Sequence, residues 1–159
     1  MKKILSTVAI SAVLSTGAIA GDVYGSIGAA ITSPTIGDSG VSMVATGGMK
    51  LDSVFPRLSA EVELSQTVAD VWDDVSVFGI GAYAVYNFLV PNTMVTIKPR
   101  LGLNYESWDV PHGYFDYSDT GFSYGVGASY PINNGLTVYA DFTDKGHTNN
   151  IGAGVGMSF

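Results

Sequence analysis

Six charged residues stand where charge is least expected. Lys50, Glu61, Glu63, Lys98, Arg100 and Asp141 are each flanked on both sides by an apolar residue. In a strand that pattern turns the charge to one face and its apolar neighbours to the other. Three bases and three acids gathered on a shared narrow face should pair, because an unpaired buried charge costs several kcal/mol. Such a set has two uses. It can be a structural plug, or it can be a gate in which Arg100 or Lys98 exchanges carboxylate partners.

Other residues offer weaker chemistry. His112 has Ser107, Ser118, Asp109 and Asp116 nearby in sequence, but no compact His-x-Ser motif is present. His147 stands alone in a later loop. The acids Asp70, Asp73, Asp74, Asp109, Asp116 and Asp119 lack the spacing and the bidentate Glu of an EF-hand, and read as solvated loops. Trp108, Tyr114, Phe115 and Tyr117 form an aromatic loop, and exposed aromatics often mark contact surfaces. The glycines at 79 and 81, at 125 and 127, and at 152, 154 and 156 alternate within strands with no helix following, so they are not a phosphate loop. The reading is non-enzymatic, and nothing requires a cofactor or a metal.

The elements that must carry these residues are strands. The last stretch sets Ile151, Ala153, Val155, Met157 and Phe159 against Asn150, Gly152, Gly154, Gly156 and Ser158 in strict period two. Seven further strands precede it: 22–32, 41–51, 57–66, 75–88, 94–107, 121–130 and 136–143. The third is clean, with Leu58, Ala60, Val62 and Leu64 against Ser59, Glu61, Glu63 and Ser65. The fourth is apolar on both phases. Placing Phe78, Ile80, Ala82, Ala84, Tyr86 and Phe88 outward puts Asn87 inside and is preferred, with the opposite phase open. The longest loop is 108–120, and 131–135 is a tight turn. Longer loops are expected after the odd strands and short turns after the even ones.

At 159 residues the chain is one domain plus a leader. Met1–Ala20 reads as a cleaved signal peptide: Lys2 and Lys3, an apolar run, then Ala18-Ile19-Ala20. The domain is 21–159, with five Lys/Arg against fourteen Asp/Glu, a net of −9. That balance excludes a nucleic-acid partner, which needs a basic footprint. With no Cys there is no disulfide frame.

Eight strands of this length suit a tilted membrane strand of about 9–11 residues. A soluble eight-strand barrel would turn its apolar row inward. Here that row is too bulky for so narrow an interior (Phe122, Tyr124, Tyr130, Phe142, Phe159), while the other is small or charged. The expected fold is therefore all-β: an eight-stranded antiparallel up-and-down transmembrane β-barrel.

Three stretches, Lys98-Pro99-Arg100-Leu101-Gly102-Leu103, the Gly/aromatic alternation of 121–130 and the terminal Phe159, resemble the small eight-stranded outer-membrane barrel superfamily of the OmpA transmembrane domain and OmpX kind. The resemblance spans the whole of 21–159. Two departures stand out: no periplasmic domain follows Phe159, and Asn104 replaces a frequent second Gly. The resemblance implies an outer-membrane location and contact with outer-membrane lipid and lipopolysaccharide. It also implies delivery by periplasmic chaperones and the barrel-assembly machinery through the last strand. A structural and surface-interaction role is expected, with a small porin-like channel as the alternative and a lipid A-modifying enzyme as a third reading.

Overall fold

The computed structural model describes residues 23–35, 38–69, 76–109 and 117–159. The signal peptide expected over 1–20 lies outside them. The chain forms β1 (Val23–Pro34), β2 (Gly40–Lys50), β3 (Leu58–Ala69), β4 (Ser76–Tyr86), β5 (Phe88–Leu89), β6 (Thr96–Asp109), β7 (Tyr117–Asn133), β8 (Leu136–Asp144) and β9 (Thr148–Ser158). The two-residue β5 continues the line of β4 past Asn87 and pairs with the start of β6. The barrel therefore has eight staves.

Every pairing is antiparallel, and all but β4–β6 and the closing β1–β9 join chain neighbours. The circle closes where β1 meets β9, with Ile27 opposite Val155 and Ile31 opposite Ile151. Closure leaves no strand edge and pairs the backbone N–H and C=O groups around the ring, which a hydrocarbon surround demands.

The side chains are inside out relative to a soluble barrel. Ile31, Leu101, Leu103, Phe122 and Ile151 are more than half exposed. Among the described residues, fifteen buried side chains are polar or charged and four are apolar, so the interior is hydrophilic. The preferred phase of the fourth strand holds: Ile80, Ala82, Ala84 and Tyr86 face out, and Gly79, Gly81, Tyr83 and Val85 face in.

Loop lengths depart from expectation. β6 runs on through Asp109 and β7 begins at Tyr117, because Trp108 pairs with both Tyr117 and Val77. The connection expected over 108–120 shrinks to 110–116. The turn after β2 is as long, at 51–57. The tight turn narrows to Asn134-Gly135, since Asn133 still pairs with Leu136. Gly135 there has φ +94°, which glycine adopts without a Cβ clash.

Leu103, 59 % exposed at mid-strand, fixes a test. Leu103→Arg should destabilise the folded barrel by about 2–4 kcal/mol, as a cation at the bilayer midplane does. Urea unfolding in lipid vesicles measures it.

Candidate functional site

The lumen is where charge and burial meet. Six lumen charges on the strands are each opposite a glycine on a neighbouring strand. Glu61 faces Gly48, Glu63 faces Gly81, Lys98 faces Gly127, Arg100 faces Gly125, Glu106 faces Gly79, and Asp141 lies between Gly127 and Gly152. A narrow barrel has room for a long charged side chain only where its cross-strand neighbour has none. Glycines also floor the lumen tyrosines. A Cβ on Gly48 would run into the Tyr24 ring, one on Gly81 into Tyr83, and one on Gly28 or Gly154 into the Tyr139 hydroxyl.

The charges form a stack along the barrel axis. Nearest the end that holds the termini, Lys98 Nζ meets Glu61 Oε1 at 2.7 Å, and the Tyr24 hydroxyl donates to the same oxygen at 2.6 Å. One layer on, Arg100 is the hub. Its Nη2 pairs with Glu63 Oε2, its Nη1 lies 3.3 Å from Asp141 Oδ2, and its guanidinium stacks 3.8 Å from the Tyr83 ring centre. Above it Lys145 Nζ reaches Glu63 Oε1 at 3.0 Å and Ser65 Oγ at 3.3 Å. The Asn150 amide, turned with its oxygen toward Lys145 Nζ, accepts at 3.1 Å while its nitrogen donates to Thr32 Oγ1 at 3.0 Å.

Hydroxyls close the loop end. Thr148 donates to Glu106, and Thr32, Ser42 and Thr67 form a chain with links of 2.6 and 3.3 Å. Above these, His147 Nε2 lies 2.8 Å from Asp119 Oδ2.

The core of the stack is electrically neutral: Lys98, Arg100 and Lys145 against Glu61, Glu63 and Asp141. Five of the six charges singled out in the sequence come together here. The sixth, Lys50, does not join them. It is exposed at the mouth of the terminal end and has no ion-pair partner among the described residues.

Lys145 was missed because it follows the last residue of β8, between Asp144 and Gly146, where no periodicity marks it as inward. Charge balance gave no signal either, because Lys50 already completed three bases against three acids; in the structure Lys145 takes that place.

The aromatic cluster changes character. Trp108 is a strand residue on the lumen phase, half-buried, and its Nε1 is a buried donor without a partner. It is not a free loop contact, because the β6–β7 ladder extends past it. Tyr117 opens β7 opposite Trp108. Tyr114, Phe115 and His112 lie outside the described residues. So do Asp70, Asp73, Asp74 and Asp116. Ser107 and Ser118 pair with each other across β6 and β7.

Between Lys98 and the terminal end the lumen widens into a cavity of about 290 Å³, lined by Lys50, Lys98, Arg100, Glu61, Asp141 and many hydroxyls. Toward the loop end from it lie the buried side chains of Arg100, Glu63, Lys145 and Thr148.

The profile described as "Outer membrane protein beta-barrel domain" matches residues 4–159. The chain belongs to this family. No curated protein sequence matches it. Three solved structures share the fold. Neisserial surface protein A is 23 % identical, with a TM-score of 0.60 over 86 % of this chain and 96 % of that one. The N-terminal β-barrel domain of Pseudomonas aeruginosa OprF is 15 % identical, with a TM-score of 0.63 over 86 % and 97 %. The Yersinia pestis attachment invasion locus protein Ail is 16 % identical, with a TM-score of 0.54 over 86 % and 99 %.

Glu63 serves two cations, so its removal strands both. Glu63→Ala should cost about 3–5 kcal/mol by leaving buried charge uncompensated, whereas Lys50→Ala should stay within about 0.5 kcal/mol. Unfolding followed by gel mobility separates the two.

Proposed function

We propose that the protein is a non-enzymatic outer-membrane barrel whose lumen is a structural plug and whose loop end is an interaction surface. One observation carries this reading. Lys145 is the only Lys or Arg in the connections at the loop end, and it is turned inward onto Glu63. The cations that could have decorated the surface are spent on the interior.

The same withdrawal gives the loop end its sign. Asp38, Asp70, Asp73, Asp74 and Asp116 fall in its connections, and Asp109, Asp119 and Asp144 flank them. An acidic rim suits cationic protein surfaces, and it suits lipopolysaccharide phosphates through bridging divalent ions. It does not suit a polyanion. Ail has been solved with the heparin analogue sucrose octasulfate, whereas the one Lys or Arg in this chain's connections at that end, Lys145, is turned inward. In this family's orientation the termini face the periplasm, and the last strand through Phe159 is the segment we assign to the chaperones and assembly machinery. A cleaved leader over 1–20 supports delivery to that compartment.

The second reading is the gated pore. It is favoured by the sharing of Arg100 between Glu63 and Asp141, which offers the guanidinium two partners. Planar-bilayer recording decides between them. The plug predicts rare or no conductance steps for the wild type, and the same silence for Arg100→Ala that remains folded. A pore predicts that Arg100→Ala changes the open frequency.

The lipid A-modifying reading has its own test. His147 is engaged with Asp119, and incubation of the purified barrel with lipid A is expected to leave the acyl-chain count unchanged by mass spectrometry. Loss or gain of an acyl chain would establish the enzyme instead.

A further inference from the structure

The cavity at the terminal end is not used by the plug, and its lining is specific. Nine of its lining residues carry a hydroxyl, among them Ser26, Thr46, Thr96, Ser129 and Thr137. Its charged residues are Lys50, Lys98, Arg100, Glu61 and Asp141. The two carboxylates are already engaged, Glu61 by Lys98 and Asp141 by Arg100. That leaves Lys50 as an uncompensated cation at the rim. Among its described lining residues the cup therefore presents one surplus cation and a ring of neutral hydroxyls. All this sits in a chain that is otherwise strongly acidic.

We infer that this cup is a binding site, entered from the terminal end, for a small monoanionic polyhydroxylated acid of about monosaccharide size. The carboxylate goes to Lys50 at the mouth. The ligand hydroxyls exchange hydrogen bonds with the Ser and Thr ring. A dianion would exceed the single surplus charge, and an apolar solute would strand the hydroxyls. A volume of about 290 Å³ admits one sugar-acid-sized molecule and not an oligomer. The site lies on the opposite side of the Arg100 layer from the loop end, so it is separate from any surface partner. In this family's orientation it samples periplasmic solutes.

The probe is gluconate, with glucose as the neutral control and inorganic phosphate as the compact-anion control. Each is titrated calorimetrically into the folded mature protein in detergent micelles. Gluconate is expected to bind saturably and more tightly than either control. Lys50→Gln should weaken it by about tenfold or more, and Lys50→Arg should restore it. Lys50 is exposed and unpaired, so gel mobility should show both variants folded. Three results would overturn the assignment. They are no saturable gluconate heat, unchanged affinity in Lys50→Gln, or phosphate binding as tightly as gluconate, which would mean that charge alone is read.

Discussion

Hydrocarbon offers a peptide group no hydrogen-bond partner, and the rest of this structure follows from that. Every backbone donor and acceptor at membrane depth must be met by another strand, so the sheet has to close. Eight staves close on a lumen only as wide as its own side chains. The lumen must then be filled, and it must be filled by the face that is not in lipid. Strand alternation makes that face the small and polar one. The charges at 61, 63, 98, 100 and 141 are thus the contents of a space whose size was set by closure.

Filling that space with charge is costly unless the accounts of sign and volume both balance. Volume is settled by glycine, opposite the charges at 61, 63, 98, 100 and 141. Sign is settled by a neutral set of three cations and three carboxylates with Arg100 at its centre. The tyrosines at 24, 83 and 139 lie across glycines, and two of them touch the charges directly, Tyr24 on Glu61 and Tyr83 under Arg100. The two ends differ in kind: hydroxyl-linked near the loops, basic-rimmed near the termini.

Much of this was legible beforehand. Period two in β3, β6 and β9 fixed which residues share a face, since a slip of one would send Leu58, Val62 and Leu64 into the lumen. The inward set of Glu61, Glu63, Lys98, Arg100 and Asp141 followed directly. Even the ambiguous β4 was resolved by one polar residue, Asn87, whose amide bonds Ser59 inside. The failures lie where periodicity carries no information. Lys145 follows its strand and reaches back over a distance that no pattern records. Trp108 looked like loop because aromatic and acidic neighbours followed it, whereas cross-strand pairing kept it in β6. Lys50 fitted the alternation but stands too near the strand end to meet the stack.

Lys145 has a consequence for assembly. It arrives with the last hairpin, β8 and β9, which also supplies Asp141 and forms the seam with β1. Until that hairpin docks, Glu63 has no second cation and Arg100 has no second carboxylate. A seam formed two residues out of register would keep every face correct, yet it would carry Lys145 about 7 Å from its partner. Hydrophobic matching cannot detect that error, because the lipid-facing rows look the same in both registers. The buried ion pair can, because only the observed register sets Lys145 on Glu63.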